Sequence, residues 1–252
     1  MRNFTGLLMN EWLKLSKKKS FFVAYAILAV VFGILAFAFY KLSPDGLTST
    51  VDFATGTIML QAAGQLVPVL AVLAAAGSVT QEYRYGTIKF LLIRAQSRHK
   101  ILASKYIVAV VYALTLVVTS AVFAVAAGYI VYGGGSGEST WTDFLGNVAS
   151  LAVYSIVFVT MTFMIGILTK SNGAAIGVGI FSMMAGSLLV LLLSRYSITK
   201  YLLFANTDLS VYRSDAVPIE GMTLAFSIVI LLVYMALFLS VSFAVFKKRD
   251  IA

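Results

Sequence analysis

Apolar positions in this chain come in long, unbroken runs separated by short polar stretches. Six runs stand out, at 21–40, 58–79, 106–131, 148–168, 173–193 and 222–246, with Asp, Glu, Lys and Arg kept to their margins. Each approaches or exceeds the roughly 20 apolar residues with which a helix crosses a hydrocarbon core. They are continuous rather than alternating, and too long for membrane strands. The pattern predicts an all-α, polytopic integral membrane protein of six transmembrane helices. The first run follows Lys17, Lys18 and Lys19 in the manner of a signal peptide. It outruns the usual h-region of about 7–15 residues and five more runs follow, so it reads as a retained span. Ahead of it, Phe4, Leu8, Trp12 and Leu15 share one helical face, while Asn10, Lys14 and Lys17 share another. Residues 1–20 therefore read as an interfacial entry helix with Trp12 at headgroup depth.

Composition agrees. Mean hydropathy is +0.95 and 12% of residues are charged, against roughly a quarter in soluble domains. The 252 residues form a single domain, 1–252, in which 194–221 is expected to fold back into the outer interface. With no cysteine, disulfides, thiolate catalysis and cysteine-held metals are excluded. His99 is the sole histidine and makes no metal site by itself.

The net charge of +9 is a topology signal rather than a nucleic-acid footprint. Of 19 Lys and Arg, 15 fall on the side holding the N-terminus, the 80–105 segment, Lys170 and the C-terminus. Seven of ten acidic residues fall on the other. By the positive-inside rule both termini are cytoplasmic. The run GGGSG at 133–137 reads as a flexible outer loop. It lacks the Gly-Lys-Ser/Thr ending that would hold phosphates, so no cofactor is expected on this chain.

Charge concentrates at 81–100, which carries Arg84, Lys89, Arg94, Arg98 and Lys100. Each would cost about 2.5–3.5 kcal/mol at a helix centre, so they lie in or beyond the headgroup layer. Ile88, Leu91 and Leu92 share one helical face, and Arg94 and Arg98 another. The reading is one or two short helices against the bundle, with Gly86 marking a break. Topology and anionic lipid explain such charge in part, but leave Glu82, Gly86 and Thr87 unexplained.

Glu82-x3-Gly86-Thr87, then Leu91-Leu92, Ser97-Arg98 and Lys105, resembles the first cytoplasmic loop of type-2 ATP-binding-cassette (ABC) transporter permeases. These are the export-type membrane subunits of bacteriocin, antimicrobial-peptide and multidrug systems. The start, Asn10-Glu11-Trp12-Leu13-Lys14-Leu15, is similar to that family's entry helix. Ala95-Gln96 departs from the proline that many members carry before Ser-Arg.

The resemblance implies that 80–105 couples the spans to a separate cytoplasmic ATPase. It implies coupling roles for Glu82, Arg84, Gly86, Thr87, Arg94, Ser97, Arg98 and Lys105, and for Glu11, Trp12 and Lys14 of the entry helix. Arg94 and Arg98 are expected to face the partner, because Arg offers bidentate contacts to carboxylates. Glu82 is expected to face an entry-helix cation such as Lys14, the alternative being a carboxylate at the loop helix's N-terminus. The implied assembly has two ATPase subunits holding ATP and Mg, a second permease chain (identical or paralogous) and membrane lipid. Nucleic acid has no part, and the setting is a bacterial plasma membrane.

Gln61 and Gln65, one turn apart and followed by Pro68, are candidates for a substrate path or for interhelical hydrogen bonds. Met161, Met164, Met183 and Met184 make either an adaptable apolar wall or ordinary packing. Gly173 and Gly177 give a GxxxG spacing that permits close helix approach. No span has an ionisable group at its centre, which argues against an ion-coupled secondary transporter. Paired catalytic groups are absent too, which argues against an enzyme. The expected function is export or extraction of a hydrophobic or amphipathic cargo, such as an antimicrobial peptide, with a non-transporting scaffold or sensor as the alternative.

Overall fold

The computed structural model describes residues 4–42, 49–84, 97–135, 137–213, 219 and 221–248. They form helices, with no strand among them. The order is α1 (Phe4–Ser16), α2 (Lys19–Leu42), α3 (Thr50–Gly64), α4 (Leu66–Arg84), α5 (Arg98–Tyr132), α6 (Trp141–Thr169), α7 (Asn172–Leu193), a 3₁₀ turn (Ser197–Tyr201), α8 (Leu203–Asn206), a second 3₁₀ turn (Leu209–Tyr212) and α9 (Leu224–Lys248). Five of these, α2, α5, α6, α7 and α9, are long and apolar enough to cross a membrane.

The run at 58–79 is not the single helix its hydropathy predicts. It is divided between α3 and α4, which meet at Gln65 in the left-handed region (φ 56°). Pro68 explains the break. It has no N–H to give the carbonyl of residue 64, and its ring would crowd that carbonyl in a continuous helix. In the first turn of a new helix the missing donor does no harm. A non-glycine residue in this conformation costs about 1–2 kcal/mol. The Gln65 side chain offsets part of this by donating to the Met183 carbonyl of α7 at 3.2 Å. Helix α3 also starts earlier than the apolar run, at Ser49, whose hydroxyl accepts from the Asp52 amide.

Helix α5 has 35 residues, about 52 Å at 1.5 Å per residue, against a hydrocarbon thickness of about 30 Å. It is therefore longer than an upright crossing of that core requires. Ser97 caps it by accepting from the Lys100 amide. Helix consequently takes up both ends of the 80–105 segment. Gly86, Thr87, Lys89 and Arg94, with the helix faces expected there, lie outside the described residues.

Helices α5 and α6 form the centre, against which α2, α3, α4, α7 and α9 pack. Tyr112 and Leu116 of α5 and Phe158 and Phe163 of α6 are almost fully buried. Lipid tails are as apolar as these side chains, so close packing rather than water exclusion holds such helices together. Small residues make the approach: a Cβ on Gly128 would strike the Thr50 carbonyl of α3, and one on Gly179 would strike Thr162 of α6. Gly173 and Gly177 face open space instead, so the GxxxG pair makes no close contact among the described residues.

The helix ends form two groups. At the acid-rich end, the Ser139 amide donates to Asp52 at 2.7 Å and the Gly134 amide to Thr50 at 3.3 Å. The described part of the glycine run is thereby fastened to α3. The described part of the 194–221 segment is bonded to the bundle. Asn206 accepts from Ser227 of α9 at 2.7 Å, and Arg213 donates to the Thr142 carbonyl of α6 at 2.9 Å.

Candidate functional site

The opposite, base-rich end gathers charged side chains from three helices. Helix α1 lays its apolar face on the bundle, with Trp12 edge-on to Phe21 at 5.9 Å. This turns Glu11 and Lys14, three residues apart, toward the ends of α4 and α5. The last turn of α4 supplies Glu82, and Lys105 stands two turns into α5. Lys105 Nζ lies 2.7 Å from Glu11 and 2.6 Å from Glu82, while Lys14 Nζ lies 2.7 Å from Glu11 and 3.2 Å from Glu82.

The Lys105 side chain is 3% exposed, and those of Glu11 and Glu82 are 11% and 13%. Burying an ion costs several kcal/mol unless partners surround it. Two carboxylates around one buried ammonium, with a half-exposed second ammonium, form a neutral cluster that meets this requirement. Burial pushes the Glu11 carboxyl up, but the Lys105 ammonium, with Lys14, outweighs it and holds the carboxyl below its ordinary range. Burial likewise pulls Lys14 down, and hydrogen bonding and charge from Glu11 and Glu82 outweigh it, leaving Lys14 raised.

Further bonds fasten the same end. Lys18 Nζ donates to Gln81 Oε1 at 2.5 Å. Thr80 Oγ1 donates to Asn172 Oδ1 at 3.1 Å, joining α4 to α7. Arg98 donates to the Lys247 carbonyl at 2.9 Å, satisfying an orphan acceptor in the last turn of α9. His99 stacks on Phe243 of α9 with ring centroids 5.8 Å apart. Arg98, expected to face a partner, thus also holds α9.

The structure therefore brings Glu11, Lys14, Glu82 and Lys105 together and places Trp12 and Ser97 as supports. Arg84 ends α4 and Gln61 lies in α3, but their side chains are not described. Of the substrate-path candidates, Gln65 lines a cavity of about 390 Å³ near the acid-rich end. Its walls include Asn147, Tyr154, Met183, Phe204 and Asp208. That is within the size range of small-molecule sites. Met161 and Met164 belong instead to the apolar cluster around Phe158. Sequence reading missed Asn147, Tyr154 and Asp208: the first two share one face of α6 at a seven-residue spacing, but nothing in the sequence joins them to Asp208, which precedes the second 3₁₀ turn. It missed Asp52 as well, although Ser49-x-x-Asp52 ahead of an apolar run is a helix-start signature. No group of three potential metal ligands occurs among the described residues.

Residues 13–252 match a family described as protein of unknown function (DUF2705). Two relatives come from Bacillus subtilis (strain 168). The uncharacterized protein YhcI is 34% identical, over 72% of this chain and 63% of its own length. The uncharacterized membrane protein YdbK is 32% identical, over 74% of this chain and 78% of its own. The chain thus spans less than two thirds of the first relative. With a family match over nearly its whole length and an all-helical bundle bearing five membrane-length helices, the chain belongs to the DUF2705 family and is a membrane-embedded protein.

Proposed function

We propose that this chain is the membrane permease subunit of an ABC exporter, driven by a separate cytoplasmic ATPase. The observation that carries the reading is the Glu11–Lys14–Glu82–Lys105 cluster. Residues 85–96 join α4 to α5, and the cluster ties these two helices to each other and to α1. A push on that connection is then delivered to two membrane helices and an interfacial helix together. Helices tied by isolated surface contacts would transmit much less, since exposed ion pairs are worth about 0–1 kcal/mol.

In this reading the chain crosses the plasma membrane six times, the broken pair α3–α4 serving as one crossing. Both termini lie in the cytoplasm, where the positive-inside rule places the base-rich end. The α3–α4 break puts non-helical backbone at membrane depth, which is tolerated where it is buried in protein or lines a cavity. Gln65 at that break lines the cavity, which favours a path for hydrophobic or amphipathic cargo, such as a toxic peptide. Nucleotide energy comes from two ATPase subunits holding ATP and Mg, and a second permease chain completes the assembly.

Purification of the tagged protein from its native membranes tests this. Recovery of an ABC ATPase whose turnover rises on assembly is expected. A solitary chain, or a companion without nucleotide hydrolysis, would favour a scaffold or sensor instead.

A further inference from the structure

A second cavity lies at the base-rich end, between α2 and α4. Both helices pack on α5, and the space between them is floored by buried Tyr112. It measures about 200 Å³. Its walls are mostly apolar, with Phe21, Ala24 and Ile27 from α2 and Leu73 and Ala74 from α4. Ile27 and Leu73 keep part of their surface outward, so the groove opens on the lipid side of the bundle. Gly77 keeps it open, since a Cβ there would meet only the Gln81 amide.

One end of this apolar groove is polar, formed by Lys18 and Gln81. The Lys18 ammonium donates to the Gln81 amide oxygen. Among the described residues no carboxylate lies within ion-pair distance of it. Burial pushes Lys18 below the ordinary lysine range, Lys105 adds repulsion, and Glu11 and Glu82 offset this only in part. A half-buried cation with a neutral partner, at the mouth of an apolar groove, has no anion against it among the described residues. In a bilayer the abundant molecule combining a phosphate with an aliphatic chain is a phospholipid.

We propose that this groove seats one anionic phospholipid, its phosphate on Lys18 and an acyl chain along Ala24, Ile27, Leu73 and Ala74. The lipid bridges α2 and α4 where the two helices make little direct contact. Zwitterionic lipid is disfavoured, because its own ammonium would be repelled by the Lys18 ammonium that its phosphate meets. The proposal needs only that the chain sits in a bilayer, and stands or falls independently of the export reading.

Native mass spectrometry of the full chain, purified in detergent and stripped of lipid, tests it. Phosphatidylglycerol and phosphatidylcholine of matched chains are titrated in separate arms, with inorganic phosphate as competitor. One phosphatidylglycerol per chain should bind ahead of phosphatidylcholine. Lys18→Gln should weaken it about tenfold, or about 1.4 kcal/mol, and the groove-filling Ala74→Phe should remove it. Lys19→Gln should leave it unchanged, and phosphate at millimolar concentration should not displace it. Wild-type binding by Lys18→Gln, or an equal loss in Lys19→Gln, would overturn the assignment. Displacement by phosphate would also do so, giving the site to a soluble anion. If Ala74→Phe does not fold, the Lys18→Gln and Lys19→Gln comparison decides alone.

Discussion

Removing Lys105 tests the buried cluster most severely. Lys105→Met keeps the length of the side chain and deletes an ammonium 2.7 Å from Glu11 and 2.6 Å from Glu82. Two carboxylates, 11% and 13% exposed, are then left with Lys14, which is 51% exposed. Breaking a buried pair from one side costs about 3–5 kcal/mol. Lys14 still compensates one carboxylate, so the lower end, about 3 kcal/mol, is expected. For a chain of this size that is roughly 6–12 °C in Tm, at about 2–4 °C per kcal/mol. The assay is thermal unfolding of detergent-purified protein at pH 7, followed by size exclusion. A double-mutant cycle with Glu82→Gln isolates the pair and should give a coupling of about 1.5 kcal/mol or more, within the range for residues in one network. A fall below about 2 °C for Lys105→Met, or additivity within about 0.5 kcal/mol, would refute the claim that these charges act as a unit.

The same cluster fixes an acid limb. Because Glu11 is held below its ordinary range, its stabilisation is complete above the unfolded carboxylate pKa and is lost as pH falls through the lower folded value. Tm should therefore hold down to the ordinary carboxylate range and drop only below it, and loss beginning near neutrality would contradict the assignment. The raised Lys14 is the mirror case: its share is complete below the ordinary lysine range and is lost as pH rises from there through the higher folded value, as a titration of Tm with Glu11→Gln as reference would report. At the helix break, Gln65→Gly relieves the left-handed strain while losing the bond to Met183. It should be near neutral, whereas Gln65→Leu keeps the strain and should lie about 1–2 kcal/mol lower in the same assay. Gly137→Val should lower Tm by the equivalent of about 1–3 kcal/mol, since a Cβ there would collide with Asp52 and Ser49. Gly33→Ala meets nothing and should be neutral or mildly stabilising.

Much of this fold can be read from hydropathy, because a span long enough for a bilayer leaves few other interpretations. The bounds of α2, α7 and α9 differ from the expected spans by two residues or fewer at either end. The pairing of Glu82 with Lys14 was also legible, since both flank membrane segments at one end and carry opposite charge. The second partner, Lys105, could be named from the loop but not placed. Its burial depends on α1 covering it, which is a tertiary fact. The 58–79 run misleads because hydropathy does not register a backbone reversal at Gln65. Pro68 was visible, but proline is common in membrane helices and does not by itself decide between a kink and a break. The cavity at the acid-rich end was invisible for a different reason: Asn147 and Tyr154 share a face of α6, but only the fold brings Asp208 and Gln65 to the same wall.

A single cysteine tests the coupling account most directly, because the chain has none of its own. Arg94→Cys lies between α4 and α5, where the account places contact with a motor subunit. In native membranes a thiol cross-linker should join the introduced thiol to an ATPase, and ATP binding should change the yield, while membrane-impermeant reagents applied outside should leave the thiol unlabelled. Labelling from the outside, or no nucleotide-hydrolysing protein among the cross-linked products, would contradict it.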